Sequence, residues 1–247
     1  MIDLIEPDWS VPANVRAVSG TRTGGSSEVP WDSLNLGLHV GDDPQCVAAN
    51  RRAFAAAADL PAEPVWLEQV HGTDVLLLDQ NSVRAGTPPV ADAAWTREPG
   101  VVCCVMTADC LPVLLCNADG SAVAVAHAGW RGLAGGVIEA TVAAMGGARV
   151  AWLGPAISAA AFEVGDEVRE AFLANDRGAA TAFVANEAGR WQADLYRLAE
   201  RALGRAGVKY VSGGEFCTHG EPERFFSHRR VAPCGRMATL IWLAADS

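Results

Sequence analysis

The chain has 247 residues and is 50% apolar, which is enough to bury a sizeable core. Its formal net charge of −10 argues against a non-specific binder of nucleic acid or of an anionic membrane, because both need clustered positive charge. The cysteine count of seven is odd, and the first residues carry neither a basic region nor an apolar core. We therefore expect reduced thiols, a cytoplasmic location and no signal peptide or membrane-spanning segment.

The first part of the chain predicts turns, then a helix, then short strands. Turn-forming residues dominate Val15 to Gly41. Asp43 is a suitable N-cap and Pro44 a suitable first-turn residue for a helix from Pro44 to Ala58. Apolar and β-branched residues then predict strands at Val65–Val70 and Val75–Leu78.

The remaining elements predict an α/β fold. The apolar run Val101–Cys116 predicts one strand buried on both faces, and Asn117–Gly120 predicts a hairpin turn into a return strand at Ser121–Ala126. Strands and helices then mingle without strict βαβ alternation, so we expect a single domain over residues 1–247, with mixed β-sheets flanked by helices. The further predicted helices are Gly135–Met145, Phe162–Phe172 and Asp194–Ala206, and the further strands are Arg149–Leu153, Lys209–Ser212 and Met237–Leu243.

Three side chains are candidate metal ligands: His71, Cys110 and His127. Two imidazoles and one thiolate supply three corners of a tetrahedral zinc site, and a catalytic zinc keeps its fourth position open. The alternative is a structural zinc in a binding or scaffold protein, closed by a fourth protein ligand such as Cys217, Cys234 or His228.

The hairpin places two of these candidates close together. Counting outward from Ala118 and Asp119, Cys110 falls opposite His127, and directly opposed residues have Cβ atoms about 5 Å apart. A turn centred one residue later would shift this match by about two positions, which is still within diagonal reach. The third candidate, His71, would join them if it lay at the end of a neighbouring strand.

The residues next to these candidates predict further polar contacts. Asp109 interrupts an apolar run, where a carboxylate is unfavourable unless it is paired or bound. It is a candidate catalytic residue, either as the hydrogen-bond partner that fixes the tautomer of His127 or as a proton acceptor. Gly129 and Gly132 flank Arg131 at a strand-to-helix turn, which is typical of an anion-binding backbone. Arg131 is therefore a candidate phosphate or ribose ligand.

Four more side chains are candidates for substrate binding, and each has an ordinary structural alternative. Arg51 is a candidate for contact with phosphate or ribose, and its alternative is a place on a solvated helix face. Asn35 holds the ribose, or closes a turn. Gln69 orients a base edge, or orients His71. His228 closes over the site, or is an exposed loop histidine.

These motifs together resemble those of the YfiH/YlmD family, whose members have been called multicopper polyphenol oxidases and whose mammalian relative is known as laccase domain-containing protein. The resemblance covers nearly the whole chain, from the Ser-Leu-Asn-Leu-Gly segment at 33–37 to Phe-Phe-Ser-His-Arg-Arg at 225–230. The motifs that carry it are Glu-Gln-Val-His-Gly-Thr-Asp at 68–74, Thr-Ala-Asp-Cys-Leu-Pro-Val at 107–113, His-Ala-Gly-Trp-Arg-Gly at 127–132 and Gly-Pro-Ala-Ile at 154–157.

The resemblance implies a zinc ion bound by His71, Cys110 and His127. It implies a purine nucleoside phosphorylase acting on adenosine, inosine and S-methyl-5'-thioadenosine, with an adenosine deaminase side activity. The partners would be a purine nucleoside and phosphate, with no nucleic acid, membrane or protein partner evident. The implied fold is a single α/β unit distantly like the catalytic domain of cytotoxic necrotizing factor toxins.

Two other activities remain open at this point. With five histidines in all, the chain is poor in the imidazoles that a multicopper oxidase needs, although copper can displace zinc at a single N/S site. The other activity is that of a Cys-His amidase with Cys110 as nucleophile and His127 as base, which would suit the editing of peptidoglycan precursors also proposed within the family.

Overall fold

The computed structural model describes residues 1–82 and 87–245. Helices and strands alternate irregularly along the chain, with short 3-10 turns at Leu38–Val40 and Arg177–Ala182. The helices are α1 (Pro44–Ala57), α2 (Trp130–Gly135), α3 (Val137–Ala144), α4 (Asp166–Asn175) and α5 (Leu195–Arg205). The strands are β1 (Leu4–Ile5), β2 (Val15–Gly20), β3 (Val75–Leu77), β4 (Ala93–Thr96), β5 (Cys103–Thr107), β6 (Leu111–Cys116), β7 (Val123–Ala128), β8 (Val150–Leu153), β9 (Glu163–Val164), β10 (Phe183–Ala185), β11 (Trp191–Ala193), β12 (Tyr210–Gly213) and β13 (Met237–Leu243).

The strands form three sheets. One has the order β12-β8-β6-β7-β4-β3, the second β1-β2-β13-β5, and a small third one β10-β11-β9. The β12/β8 and β3/β4 pairs are parallel, while β6/β7, β6/β8 and β13/β5 are antiparallel. The predicted α/β fold with mixed sheets and flanking helices is confirmed.

The two larger sheets pack face to face around an apolar core. Val105 and Ile241 of the four-stranded sheet share a buried cluster with Leu114 and Val125 of the six-stranded sheet. A second cluster joins the outer face of the six-stranded sheet to α3 and α5, and a third joins the outer face of the four-stranded sheet to Phe54 of α1. Burial on both faces explains why the strands are continuously apolar rather than alternating.

The predicted strand Val101–Cys116 is wrong as a single element, because it is two strands in different sheets. β5 lies in the four-stranded sheet and β6 in the six-stranded sheet, and the chain crosses between them at residues 108–110. Asp109 takes a φ of +93° at this crossing, a conformation that ends a strand. The crossing places Cys110 at the edge where the two sheets meet.

The other predicted helices and strands agree with the structure to different degrees. Asp43 caps α1 by accepting a hydrogen bond from the backbone N–H of Gln45 at 2.8 Å, as predicted. The predicted strand Val65–Val70 is wrong, since that segment makes only the isolated bridges of Val65 and Glu68 within the described residues. The predicted helix Gly135–Met145 corresponds to α3, which begins at Val137 because left-handed Gly136 separates it from α2, a helix that was not predicted. The predicted helix Phe162–Phe172 begins later, as α4, because β9 occupies Glu163–Val164. The turn-rich segment contains a strand that was not predicted, β2, and β4 was not predicted either.

Within the described ranges, no helix combines the length and the apolar composition that crossing a bilayer requires.

Candidate metal centre and substrate pocket

The structure brings the three candidate ligands together. One donor atom from each of His71, Cys110 and His127 lies within 4.8 Å of the others. The Sγ atom of Cys110 is 3.8 Å from Nε2 of His71, and the two imidazole rings meet edge to face with centroids 4.8 Å apart. Three loops or strand ends from distant parts of the sequence supply this cluster.

The hairpin register is not the one centred on Ala118 and Asp119 but the alternative, in which the turn is centred one residue later. Pro112 pairs with His127 and Leu111 with Ala128, so the turn is centred one residue later than Ala118-Asp119. Cys110 therefore falls opposite Gly129, beyond the end of the paired strands, and is diagonal to His127. Diagonal neighbours on one face remain within contact distance for side chains of this length.

Glycine at position 129 leaves the space in which the ligands meet. A Cβ at Gly129 would lie 2.9 Å from Cys110 Sγ and 2.9 Å from Cδ2 of His71. A Cβ at Gly132 would lie 2.8 Å from the carbonyl oxygen of Gly72, in the loop that carries His71. Both positions therefore need glycine for close packing, which is a different reason from the predicted anion-binding turn.

Asp92, which was not among the predicted site residues, holds the histidines. Its fully buried carboxylate accepts a 2.8 Å hydrogen bond from Nδ1 of His127. The same carboxylate accepts backbone N–H groups from Val70, His71 and Gly72 at 3.2, 2.9 and 2.6 Å. The role of partner to His127, which was proposed for Asp109, therefore belongs to Asp92.

The charges of the cluster stabilise one another. Burial alone would raise the pKa of the Cys110 thiol, but the positive charge of His127 and hydrogen bonds from both imidazoles bring that pKa below its usual value. Burial would likewise lower the pKa of His127, but the Cys110 thiolate and the hydrogen bond to Asp92 raise it. A thiolate is thus the favoured form of Cys110, and the thiolate is the form that binds metal.

The donor set fits a zinc ion. Zinc holds sulfur at about 2.3 Å and nitrogen at about 2.1 Å, so tetrahedral donors lie about 3.6 Å apart. The Sγ of Cys110 and Nε2 of His71 are 3.8 Å apart, and all three donors lie within 4.8 Å of one another. Among the described residues, no fourth His, Cys, Asp or Glu joins the cluster. Two of the suggested fourth ligands are engaged elsewhere, since Cys217 bonds to Ser158 at 3.0 Å and Cys234 contacts Arg236. The third, His228, lines the cavity but is not part of the cluster.

A cavity of about 770 Å³ opens directly onto the three donors. Its apolar walls include Trp66, Met106, Ile157 and Phe162. The predicted site residues that line it, besides the three donors, are Arg51, Gln69, Asp109, Arg131 and His228. Two arginines and a histidine that were not predicted also line it: Arg229, Arg236 and His39.

Arg51 and Arg236, with the side chain of His39 beside them, form a positive group in this cavity. The guanidinium of Arg51 stacks on Trp66, with Cζ 3.7 Å from the ring centre, and its Nε donates to the Leu36 carbonyl at 2.9 Å. Burial and the charges of Arg236 and Arg51 lower the pKa of His39, so His39 is the neutral member of this group. Arg51 therefore lies in the cavity and not on a solvated helix face.

Asn35 supports this group from behind and does not line the cavity among the described residues. It is fully buried, and its Oδ1 accepts backbone N–H groups of Gly37 and Arg236, both at 2.9 Å. Its Nδ2 donates to Asp42 at 2.8 Å. The turn-closing alternative for Asn35 therefore agrees with the structure, and ribose contact does not.

Gln69 uses its side-chain amide on the backbone of β5. Its Nε2 donates to the Met106 carbonyl at 2.8 Å, and its Oε1 accepts the Met106 N–H at 2.7 Å. This pair of bonds ties the segment that leads to His71 to β5, which agrees with the alternative that Gln69 orients His71.

Asp109 connects the centre to the C-terminal wall of the cavity. Its carboxylate accepts the hydroxyl of Thr218 at 2.6 Å and the backbone N–H of Arg229 at 2.7 Å. This bond fixes the backbone beside His228, while the guanidinium of Arg229 donates to the Glu163 carbonyl at 2.8 Å. Asp109 therefore has the hydrogen-bond partners that a carboxylate in an apolar run needs. Those partners come from the C-terminal segment and not from His127.

A signal for Asp92 was present in the sequence. Like Asp109, Asp92 interrupts an apolar run, Val90 to Trp95, where a carboxylate needs a partner. His39 and Arg236 carried no comparable signal, because their proximity depends on the tertiary fold.

Comparisons with known proteins agree with this fold. Residues 16–244 match the family described as multi-copper polyphenol oxidoreductase laccase. The purine nucleoside phosphorylase YfiH of Escherichia coli K12 is 52% identical, over 98% of this chain and 100% of that protein. A crystal structure from Neisseria meningitidis superposes with a TM-score of 0.92 at 49% identity, covering 98% of this chain and 99% of that one. YlmD of Geobacillus stearothermophilus superposes with a TM-score of 0.84 at 32% identity, covering 94% and 93%. The chain therefore belongs to the laccase-like YfiH/YlmD family.

Proposed function

We propose that the protein is a zinc-dependent purine nucleoside phosphorylase that acts on adenosine, inosine and S-methyl-5'-thioadenosine. The observation that carries this proposal is that three side chains able to hold a metal and a group of arginines line one cavity. The name of the Escherichia coli relative, which is 52% identical, supports the same activity.

Phosphorolysis makes three demands on a protein. Phosphate attacks the anomeric carbon as the purine leaves, so positive charge develops on the sugar and negative charge on the base. An enzyme must hold the phosphate, stabilise the departing base and align both with the ribose.

The positive group is suited to hold phosphate. Arg51 is fixed by its stack on Trp66 and its bond to Leu36, and Nη1 of Arg236 donates to the carbonyls of Cys234 and Gly235, so both guanidinium groups are ordered before an anion arrives. Planar guanidinium groups bind phosphate oxygens in pairs. His39 adds a further donor in the same part of the cavity.

The rest of the cavity is suited to a nucleoside. The apolar side chains Met106, Ile157 and Phe162 offer contact to a base or to a 5'-methylthio group. Arg131, which lines the cavity, would add positive charge beside the donor cluster. Asp109 would keep His228 and Arg229 in the wall that faces the substrate.

His71, Cys110 and His127 would hold the zinc ion, which supplies a Lewis acid for the leaving base and an activated water for the deaminase side reaction. The chain's own part in this chemistry is to orient the donors through Asp92 and to keep the fourth position free of protein side chains. Copper at the same three donors would be a loading variant, since one cluster of this kind occurs among the described residues.

The experiment that tests the proposal is a phosphate-dependent assay on protein of known metal content. Zinc-loaded wild type should release adenine from adenosine and from S-methyl-5'-thioadenosine, and hypoxanthine from inosine, only when phosphate is present. The sugar products should be ribose 1-phosphate or, from S-methyl-5'-thioadenosine, 5-methylthioribose 1-phosphate. Conversion of adenosine to inosine without phosphate would measure the deaminase activity. Cys110→Ser should lose both metal and turnover, whereas Cys46→Ser, a thiol outside the cavity, should keep both. Zinc-loaded protein without phosphate-dependent release would refute the phosphorylase proposal.

One observation favours a second candidate, a Cys-His amidase. Cys110, His127 and Asp92 are arranged as nucleophile, base and orienting carboxylate, as in Cys-His-Asp hydrolases. Removal of the His71 imidazole distinguishes the two functions, because a hydrolase of this type does not use it. His71→Ala should abolish zinc binding and phosphorolysis under our proposal. Metal-free protein that cleaves an amide, with His71→Ala still active, would establish the amidase instead.

A further inference from the structure

Asp92 is the residue through which both imidazole ligands are held. Its carboxylate receives the Nδ1–H of His127 and three consecutive backbone N–H groups from residues 70–72. Its own carbonyl accepts the backbone N–H of His127 at 2.7 Å. One buried residue thus contacts the side chain of one ligand and the backbone of the other.

The contact with His127 selects which ring nitrogen faces the cavity. A carboxylate accepts a hydrogen bond and cannot donate one, so Nδ1 of His127 must carry the proton. The lone pair of the neutral ring is then on Nε2, on the side of Cys110. Partners of this kind fix the tautomer and the orientation of metal-ligating histidines.

The contact with His71 stabilises an unfavourable backbone. His71 has a φ of +62°, which few residues other than glycine adopt. Such a conformation persists only where the surroundings hold it in place. The hydrogen bonds that the backbone of residues 70–72 donates to Asp92 hold this conformation, with Nε2 of the imidazole 3.8 Å from Cys110 Sγ.

We propose that Asp92 is a positioning residue for the metal centre, which sets the tautomer of His127 and the place of His71 at the same time. This inference rests on the proposed metal site but not on the identity of the nucleoside. Loss of such a partner typically weakens metal binding about 10- to 100-fold.

Asp92→Asn is the sharpest test, because it keeps the shape and removes the charge. The amide can present an N–H to Nδ1 of His127, which favours the tautomer whose Nε2 is protonated and cannot bind metal. We expect zinc affinity, measured by competition with a chromophoric chelator, to fall about 10- to 100-fold. The cobalt-substituted variant should also lose the thiolate-to-cobalt absorption band at equimolar metal.

Asp42→Asn is the matched control. Asp42 is also a buried carboxylate, and it accepts hydrogen bonds from Ser27, Asn35 and the backbone of Asp43, away from the metal ligands. Its replacement should change stability without changing zinc affinity. If Asp92→Asn is folded and binds zinc as tightly as the wild type, the proposal is wrong.

A second measurement needs no variant. Long-range ¹H–¹⁵N NMR of zinc-loaded wild type should show that His127 is protonated on Nδ1 and coordinated through Nε2. Coordination through Nδ1 would overturn the proposal even if Asp92→Asn did not fold. A wild type that binds neither zinc nor cobalt would refute the metal centre itself, whereas equal binding by wild type and Asp92→Asn refutes only the role of Asp92.

Discussion

Replacing Gly129 with alanine places one methyl group inside the three-donor cluster. Gly129 has φ −61° and ψ 156°, angles that alanine adopts readily, so the backbone itself tolerates the change. The new methyl carbon would lie 2.9 Å from Sγ of Cys110 and 2.9 Å from Cδ2 of His71. The effect of this substitution therefore comes from the side chain alone.

The size of the effect follows from these distances. Ordinary contacts between heavy atoms are about 3.5–4.0 Å, so the distance from the methyl group to each of Cys110 and His71 must increase by about 0.6–1.1 Å. Metal–ligand distances tolerate only about 0.2 Å. Overpacking of a tight site costs about 1–3 kcal/mol. If that free energy is lost from the metal-bound state, zinc affinity falls about 5- to 140-fold.

A chelator competition titration measures this loss. Gly204→Ala is the control, because a Cβ at Gly204 in α5 meets no atom within 4 Å. The control should keep its zinc affinity and gain about 0.5–1 kcal/mol in the free energy of unfolding, as expected for glycine to alanine in a helix. Wild-type zinc affinity in Gly129→Ala would refute the placement of Cys110 and His71 beside Gly129.

Three further substitutions have defined outcomes. Gln69→Ala should lower both the melting temperature and the zinc affinity, because it leaves the backbone N–H and carbonyl of Met106 without partners. Each buried group left in this way costs about 1–3 kcal/mol of stability. An unchanged zinc affinity would show that Gln69 does not position His71. The hydrogen bond from Arg201 lowers the pKa of Asp176 in the folded protein. Ionised Asp176 therefore stabilises the fold at pH values above its unfolded pKa of about 3.9. This stabilisation is lost as the pH falls through the lower pKa of the folded state. The stability difference between wild type and Asp176→Asn should therefore be full at neutral pH and shrink below about pH 4 in denaturant titrations, and a constant difference would contradict the pairing. Tyr196→Phe removes a buried hydroxyl that accepts the Ala156 N–H and shares its single proton between two backbone carbonyls, and calorimetry should show a loss of about 1–3 kcal/mol.

The sequence predicted best those elements that local chemistry determines. Asp43 before Pro44 and Asp194 before α5 both act as N-caps, because a cap depends on residues two or three positions away. The strand at Met237–Leu243 was predicted with the same bounds that it has in the structure. In each case, the information lies within a few residues.

The break between β5 and β6 could not be read from composition. Apolar residues continue on both sides of it, and the turn depends on Asp109 in a conformation that is unusual for aspartate. Tertiary partners, Thr218 and Arg229, hold that turn in place. A local pattern contains no information about partners more than one hundred positions away.

The same limit applied to the substrate pocket. Arg236 reaches the cavity because Asn35, 201 positions earlier, bonds its backbone N–H. The net charge of the whole chain also concealed the local charge, since this acidic protein gathers Arg51, Arg131, Arg229 and Arg236 around one cavity. These four arginines outnumber the two acidic side chains among the described residues of the cavity, Glu68 and Asp109, and a cleft with a local excess of positive charge attracts anions whatever the overall charge.

His71 provides the strongest reason to prefer a metal centre over a Cys-His nucleophile. Cys110, His127 and Asp92 alone would satisfy a hydrolase, and a thiolate that coordinates a metal cannot attack a carbonyl with the same lone pair. A hydrolase would then have no use for a second imidazole 3.8 Å from its sulfur. The chain nevertheless holds His71 there at a φ of +62°, with the buried carboxylate of Asp92 bonded to its backbone. Such a strained arrangement is explained if His71 is a ligand, because three donors are what an open tetrahedral site requires.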